Sequence, residues 1–250
     1  SQNTMMEAII LPQTLETVKK YNTNNLPLNI IFELPTASMI EQLRKENENF
    51  TLRFKLLHMK DEDAHLIERI LLKKEVLEEI KKLEKNITFI IGNESNKVDY
   101  HWNIDGRILR QSKDVIKDLN LFIEIQEVNS LTESRKEIKT IISRDKNYKS
   151  PKGVKGLYVG FAHNGTIPEY SKVKVKVTNN PHITGLEADS KAYLYRYNPQ
   201  SKKLEELPNN EYIVDKDGYV KMDVTKGSEY ILLPIKPKAS IMRPLLSQIK

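Results

Sequence analysis

Cysteine is absent from the 250 residues. That excludes disulfides, thiolate metal sites and thiol nucleophiles. Glycine is scarce, at nine in the whole chain, so a backbone-lined phosphate cradle is not expected. Neither a Gly-x-Ser-x-Gly elbow nor a phosphate-binding glycine loop occurs. No apolar run approaches the roughly 18 residues that a membrane-spanning helix needs. The opening residues, Ser1 to Met6, lack a basic start followed by an apolar stretch, so no signal peptide is visible and the chain reads as a processed or excised piece. The five histidines, His58, His65, His101, His163 and His182, form no His-Glu-x-x-His motif, no pair four residues apart and no His-x-His. No zinc site is therefore expected.

What is present points to an ordered chain. Hydrophobic residues make up 39% and charged residues 30%, with eleven Tyr, six Phe and one Trp as anchors. The chain is long enough for one large domain or two small ones. Forty Lys+Arg against 34 Asp+Glu leave a net charge of +6. This mild basic excess suits anionic partners, such as a wall polymer, without implying nucleic acid.

Patterning divides the chain. Residues 7–32 echo 68–91: Ile9-Ile10-Leu11, Leu15 to Tyr21 and Asn29 to Phe32 are matched by Leu71-Leu72, Leu77 to Leu83 and Thr88 to Ile91. Each copy reads as strand, amphipathic helix and strand, with Leu15 and Val18, or Leu77 and Ile80, on one helix face. Two copies are fewer than a solenoid needs, so a pseudo-symmetric pair inside one domain is expected. Between them, 38–47 reads as a short helix or loop, 50–56 as a half-buried strand by its period of two, and 60–63 as a charged turn. Tyr100, Trp102 and Ile104 share a strand face that ends in a hairpin-type turn at Asp105-Gly106. Leu119, Leu121, Ile123 and Ile125 share the next.

The last ninety residues read as a β-meander punctuated by Asn164-Gly165, Asn198-Pro199 and Asp215 to Gly218. The last of these resembles the start of a calcium loop, but its Gly comes too early and a strand follows at once, so a β-turn is expected. The fold class is α+β and mainly β. An N-terminal α+β domain (1–127) carries the internal repeat, and 128–156 is a linker or loop. An antiparallel, β-sandwich-like domain (157–235) and an exposed tail (236–250) follow. Tyr100, Trp102, Leu121, Ile123, Phe161, Val175 and Tyr230 are expected in or near the core.

Several of these segments carry a resemblance. Tyr100-His101-Trp102-Asn103-Ile104-Asp105-Gly106-Arg107-Ile108 resembles the Y-x-W-x-F-x-G-x-x-I strand-turn of β-rich modules in large secreted and cell-surface proteins of clostridia and related Firmicutes. Phe161 to Pro168, Tyr193 to Asn198 with Lys203-Leu204-Glu205, and Asp217 to Val220 with Ser228 to Leu232 are similar to the same module in the same order, and Leu77 to Ile91 also fits. Ile104 stands where Phe is usual, and the chain is more basic than the resemblance leads one to expect. The resemblance implies a place at the cell surface or wall and a role as spacer, adhesive or recognition module. It implies no catalytic residues and no cofactor.

Two strand sets are candidates for ligand binding. Tyr193, Tyr195 and Tyr197 point to one face of their strand; if exposed, such rings would stack on the apolar faces of sugars, and if buried they belong to the core. Lys172, Lys174 and Lys176 alternate with valines; they would contact phosphates of a wall polymer or guard a sheet edge. The acidic groups Glu205, Glu206, Asp215 and Asp217 lie in polar turns, with no pairing that sequence can establish. His58 and His65 flank Asp61, Glu62 and Asp63 in what reads as a solvated turn, and His163 sits beside a tight turn. The sequence thus predicts a non-catalytic, metal-independent module, without membrane insertion and monomeric. Its partner would be a cell-wall polymer, a glycan or a host surface protein.

Overall fold

The structure is a computed structural model that describes residues 3–7, 19–24, 29–45, 51–55, 66–92, 98–131, 135–145, 148, 154–238 and 242–244. Its elements run β1 (Asn3–Glu7), β2 (Ile30–Glu33), α1 (Thr36–Lys45), β3 (Thr51–Lys55), β4 (Ile67–Leu72), α2 (Lys74–Leu83), β5 (Asn86–Gly92), β6 (Asp99–Asp105), α3 (Gly106–Gln111) and β7 (Leu119–Asn120). Then come β8 (Ile123–Glu127), α4 (Lys136–Ser143), β9 (Leu157–Thr166), β10 (Ser171–Lys176), α5 (Pro181–Thr184), β11 (Lys191–Asn198), β12 (Lys203–Ile213), β13 (Tyr219–Met222), β14 (Lys226–Leu233) and β15 (Met242–Pro244). The chain is mixed α and β, with strand the larger share and several antiparallel pairings. It forms two compact units, each assembled from three stretches: Ser1–Phe122, Thr166–Lys174 and Met222–Thr225 in the first, Ile123–Gly165, Val175–Lys221 and Lys226–Lys250 in the second.

The first unit is layered. β1, β3 and β5 pair in parallel in one sheet, and β2 and β4 pair in parallel in another. Each of α1 and α2 therefore connects a strand of the small sheet to a strand of the large one. The repeating layer is β2-α1-β3 followed by β4-α2-β5. In the sequence echo of 7–32 with 68–91, Ile9-Ile10-Leu11 and Leu15 to Val18 lie outside the described residues. The strands that close the two copies are not equivalent, because β2 joins the small sheet and β5 the large one. Periodicity reports which residues are apolar but not which sheet a strand will join.

The two helices pack on each other and fill the space inside with Met39, Leu43, Val76, Leu77 and Ile80, all buried. In α2, Glu75 in the first turn and Lys81 and Lys82 in the last complement the helix dipole. Antiparallel strands extend both sheets on the far side of the stack. β6 pairs with β5, placing Trp102 opposite Phe89, and β7 pairs with β4. The Trp102 indole N–H donates to the Leu121 carbonyl at 2.9 Å, so the largest buried side chain keeps its polar atom satisfied. Asp105-Gly106 is not a hairpin turn. Asp105 caps α3 by accepting from the N–H groups of Arg107 (2.9 Å) and Ile108 (3.3 Å). Likewise Leu119 and Ile123 do not share a strand, because β7 and β8 belong to different sheets.

The second unit is built on a six-stranded sheet of order β15-β12-β11-β14-β9-β8. This is not a meander, since β10 and β13 leave for the other large sheet. Pro208, which has no N–H to give a ladder, lies where the β11–β12 register jumps between Tyr193 and Tyr195. Within 128–156, where a linker was expected, a 3-10 turn (Val128–Ser130) leads to α4. Ile138 and Ile142 of α4 are fully buried against Val128, Tyr158, Tyr195, Leu204 and Ile231. In the stretch read as a tail, β15 pairs in parallel with β12. The Asp215–Gly218 β-turn is present, closed by Gly218 N–H to the Asp215 carbonyl at 3.0 Å. All seven expected core residues are buried.

Candidate functional site

The tyrosine row is core. Tyr195 is fully buried, Tyr197 is buried and Tyr193 is half-buried, all packed in the cluster beneath α4. Rings in that position cannot stack on a sugar, because the face a sugar would use is occupied by Ile138 and its neighbours. The Tyr197 hydroxyl donates to Glu137 at 3.0 Å, and burial together with that carboxylate pushes it up to about 12. The Tyr195 hydroxyl is buried beside the Asn210 amide, and burial pushes it well up.

The lysine row is on the surface. Lys172 and Lys174 are exposed and Lys176 is half-buried, while Val173, Val175 and Val177 point inward. Tyrosines and lysines lie on β11 and β10, which belong to different sheets. His101 is within 3.1 Å of Asp99, His163 is half-buried and His182 exposed. His58, His65 and the acidic turn between them lie outside the described residues. Among the described residues no three metal-ligating side chains converge.

One group of polar side chains in the second unit was not assembled by sequence reasoning. Glu124 on β8 sits opposite Gly160 on β9. The Tyr158 ring lies over Gly160, so near that a Cβ there would stand 2.5 Å from the tyrosine hydroxyl oxygen. Arg135 stacks on this ring at 5.1 Å from its centroid and donates from Nε to the Tyr158 hydroxyl at 2.9 Å. Its Nη2 pairs with Glu124 at 2.8 Å, and the Tyr158 hydroxyl donates to Glu229 at 2.8 Å. Gln126 donates to the other oxygen of Glu124 at 2.6 Å.

Burial raises the Glu124 carboxyl above its ordinary 4.5, Arg135 opposes the rise and Glu229 adds to it. Burial, and then the Glu229 carboxylate, push the Tyr158 phenol well up. The arrangement is closed. Guanidinium, phenol and both carboxylates are turned toward each other, which suits holding β8, β9 and β14 to the segment before α4. The signal in the sequence was faint: Glu124 and Gln126 as polar alternates on a strand, and a Gly facing them.

A second closed set lies nearby in the same sheet. Glu205 is fully buried, held by Arg196 at 2.7 Å and by the Asn198 amide at 2.6 Å. A groove of about 300 Å³ runs along α4, lined by Leu131, Lys136, Lys139, Thr140, Ser143 and Val154. Three of its polar groups are turned to the backbone: Lys139 donates to the Asn129 carbonyl, Thr140 to Lys136 and Ser143 to Thr140. They do not converge on a common point in the groove, as a ligand site requires. No protein-family model matches the chain, and no curated protein or solved structure matches it.

Proposed function

We propose that this chain is a non-catalytic extracellular module of a Gram-positive cell-surface protein, acting as a structural spacer or as an adhesion or recognition surface. The observation that carries the spacer role is the parallel stacking of β2-α1-β3 on β4-α2-β5. Layers of this kind touch only their neighbours, which is how stacked-repeat proteins build length and stiffness. The inward-turned pairing of Arg135 and of Arg196 supports the same reading, since these polar groups serve the sheet. The sandwich-like character of the second unit rests on Val175 of β10 and Val220 of β13, buried residues on strands outside its six-stranded sheet.

What supports the location is the resemblance of Tyr100 to Ile108 and its companions to modules of secreted clostridial proteins. The test is antibody labelling of the source cells before and after permeabilisation. Labelling of intact cells is expected; a signal seen only after permeabilisation would overturn the location.

The second reading is recognition of an anionic wall polymer. It is favoured by one observation, the exposure of Lys172 and Lys174 on a regular strand. In this reading the tyrosine row takes no part. Co-sedimentation with purified cell walls, lost on stripping the phosphate polymer and weakened in a Lys172→Gln/Lys174→Gln variant, would support it. Equal binding to stripped walls would remove it.

A further inference from the structure

We propose that β1 and β2 together form a self-association edge, at which two copies of this chain pair about a two-fold axis and complete each other's layered stack. Within the first unit, β1 is an outermost strand of the large sheet and β2 of the small one, both on the side opposite the antiparallel strands β6 and β7. Among the described residues no strand pairs with the outer side of either.

At β2 the burial is incomplete. Ile30 and Phe32 are only half-buried, while their register partners one strand inward, Ile67 and Ile70, are sealed. Ile31 on the same strand is 48% exposed.

Outer strands of sheets are normally protected from pairing by shortness, by charge or by proline. The other outer strands here follow that rule. β7 has two residues, β8 carries Glu124 and Glu127, β13 carries Lys221, and β15 is three residues with Arg243 and Pro244. β1 and β2 carry no Lys, Arg or Pro, and one acid each, at the last position.

The occupant follows from geometry and charge. The opposite edges of the two sheets are β13, which carries Lys221, and the two-residue β7, so neither offers a head-to-tail partner and the unprotected edge meets its own equivalent. A two-fold pairing runs β1 antiparallel to the partner's β1 and β2 antiparallel to the partner's β2. Antiparallel closure is already how β5 meets β6 and β4 meets β7. It also sets Glu7 and Glu33 against the uncharged starts of the partner strands, Asn3 and Ile30, whereas a parallel pairing would stack like carboxylates.

Sedimentation velocity on the whole chain tests this. A species of twice the 29.0 kDa monomer mass is expected to grow with concentration across the micromolar range. Ile31→Lys places a charge on the edge and should raise the dimer dissociation constant about ten-fold or more. Val115→Lys makes the same change at an 81% exposed site on the loop between α3 and β7 and should leave it unaltered. Circular dichroism and the melting temperature check that both variants fold. Amide exchange in Ile30–Glu33 should slow as concentration rises in the parent chain and in Val115→Lys, but not in Ile31→Lys. A chain that stays monomeric throughout, or a dimer indifferent to Ile31→Lys, would overturn the proposal.

Discussion

A Cβ built on Gly106 would stand 2.5 Å from the carbonyl oxygens of both Ile80 and Lys85 and 2.7 Å from the Lys85 nitrogen. All three are backbone atoms, so nothing flexible can yield. Gly106→Ala should therefore push α3 off the end of α2 and cost about 1–3 kcal/mol, read as a lower urea midpoint. The sequence marked this Gly as a turn residue because Asp-Gly is a turn signal. Its real role, close approach of two chain segments, depends on a neighbour far away in sequence and left no local trace. Asp118 makes a similar point about charge. It caps α2 from outside, accepting from the Lys74 N–H at 2.8 Å and pairing with Lys73 at 2.9 Å. The Lys73 ammonium, with the Lys74 N–H, holds the Asp118 carboxyl below its ordinary 3.8. A lowered carboxylate contributes stability above its unfolded value and loses it as pH falls through the folded one. Asp118→Asn should thus cost stability at neutral pH, and its deficit against the parent should shrink as pH drops below about 4 in acid melts. Glu124 behaves oppositely. Its raised carboxyl stabilises most below 4.5 and loses that contribution as pH rises through the folded value. Glu124→Gln should therefore compare more favourably with the parent at pH 7 than at pH 4.

Helix α4 is the element whose removal the second unit should tolerate least. Ile138 and Ile142 lie in its core without exposure. Truncating Ile142 to Ala should cost about 2–5 kcal/mol, measured by denaturant melts. Only eight residues long and rich in β-branched isoleucine, this segment offers too little helical signal to stand out between polar stretches, which is why 128–156 read as a linker. Strands with a clean period of two were legible: β3, β6, β10 and β11 all fall where alternation placed them. Which strands are equivalent in the layers was not legible, because α1 reads only as a helix or loop and the apolar strands before and after it look alike. At the candidate sites, the lysine alternation of β10 was readable. Burial of Tyr195 and Tyr197 was one of the two readings that alternation allowed, and α4 decides between them. Arg196 offers a test of the closed pairs. Arg196→Met would leave the fully buried Glu205 without its guanidinium, and a loss of about 3–5 kcal/mol is expected. Removing both charges, as Arg196→Met with Glu205→Leu, should restore much of that loss.

For the whole molecule, the net charge of +6 and an isoelectric point near 9.1 set colloidal behaviour. Solubility should be lowest near pH 9 at low salt, and turbidity across a pH series checks it. The association edge described above would sharpen that minimum, since self-repulsion is least there. Composition and patterning made the broad class and most strands visible. The exchange of stretches between the two units was not, because it is set by contacts between segments far apart in sequence, such as Asp105 N–H to the Tyr170 carbonyl and Ile167 N–H to the Thr225 carbonyl.

The threading of the chain has a practical and evolutionary consequence. Thr166–Lys174 and Met222–Thr225 return to the first unit after the chain has entered the second. A single cut anywhere between 128 and 156 would strip both returning stretches from the amino-terminal fragment. Gene duplication or recombination should therefore copy this stretch of polypeptide only as one indivisible cassette, with viable junctions outside it rather than at its middle.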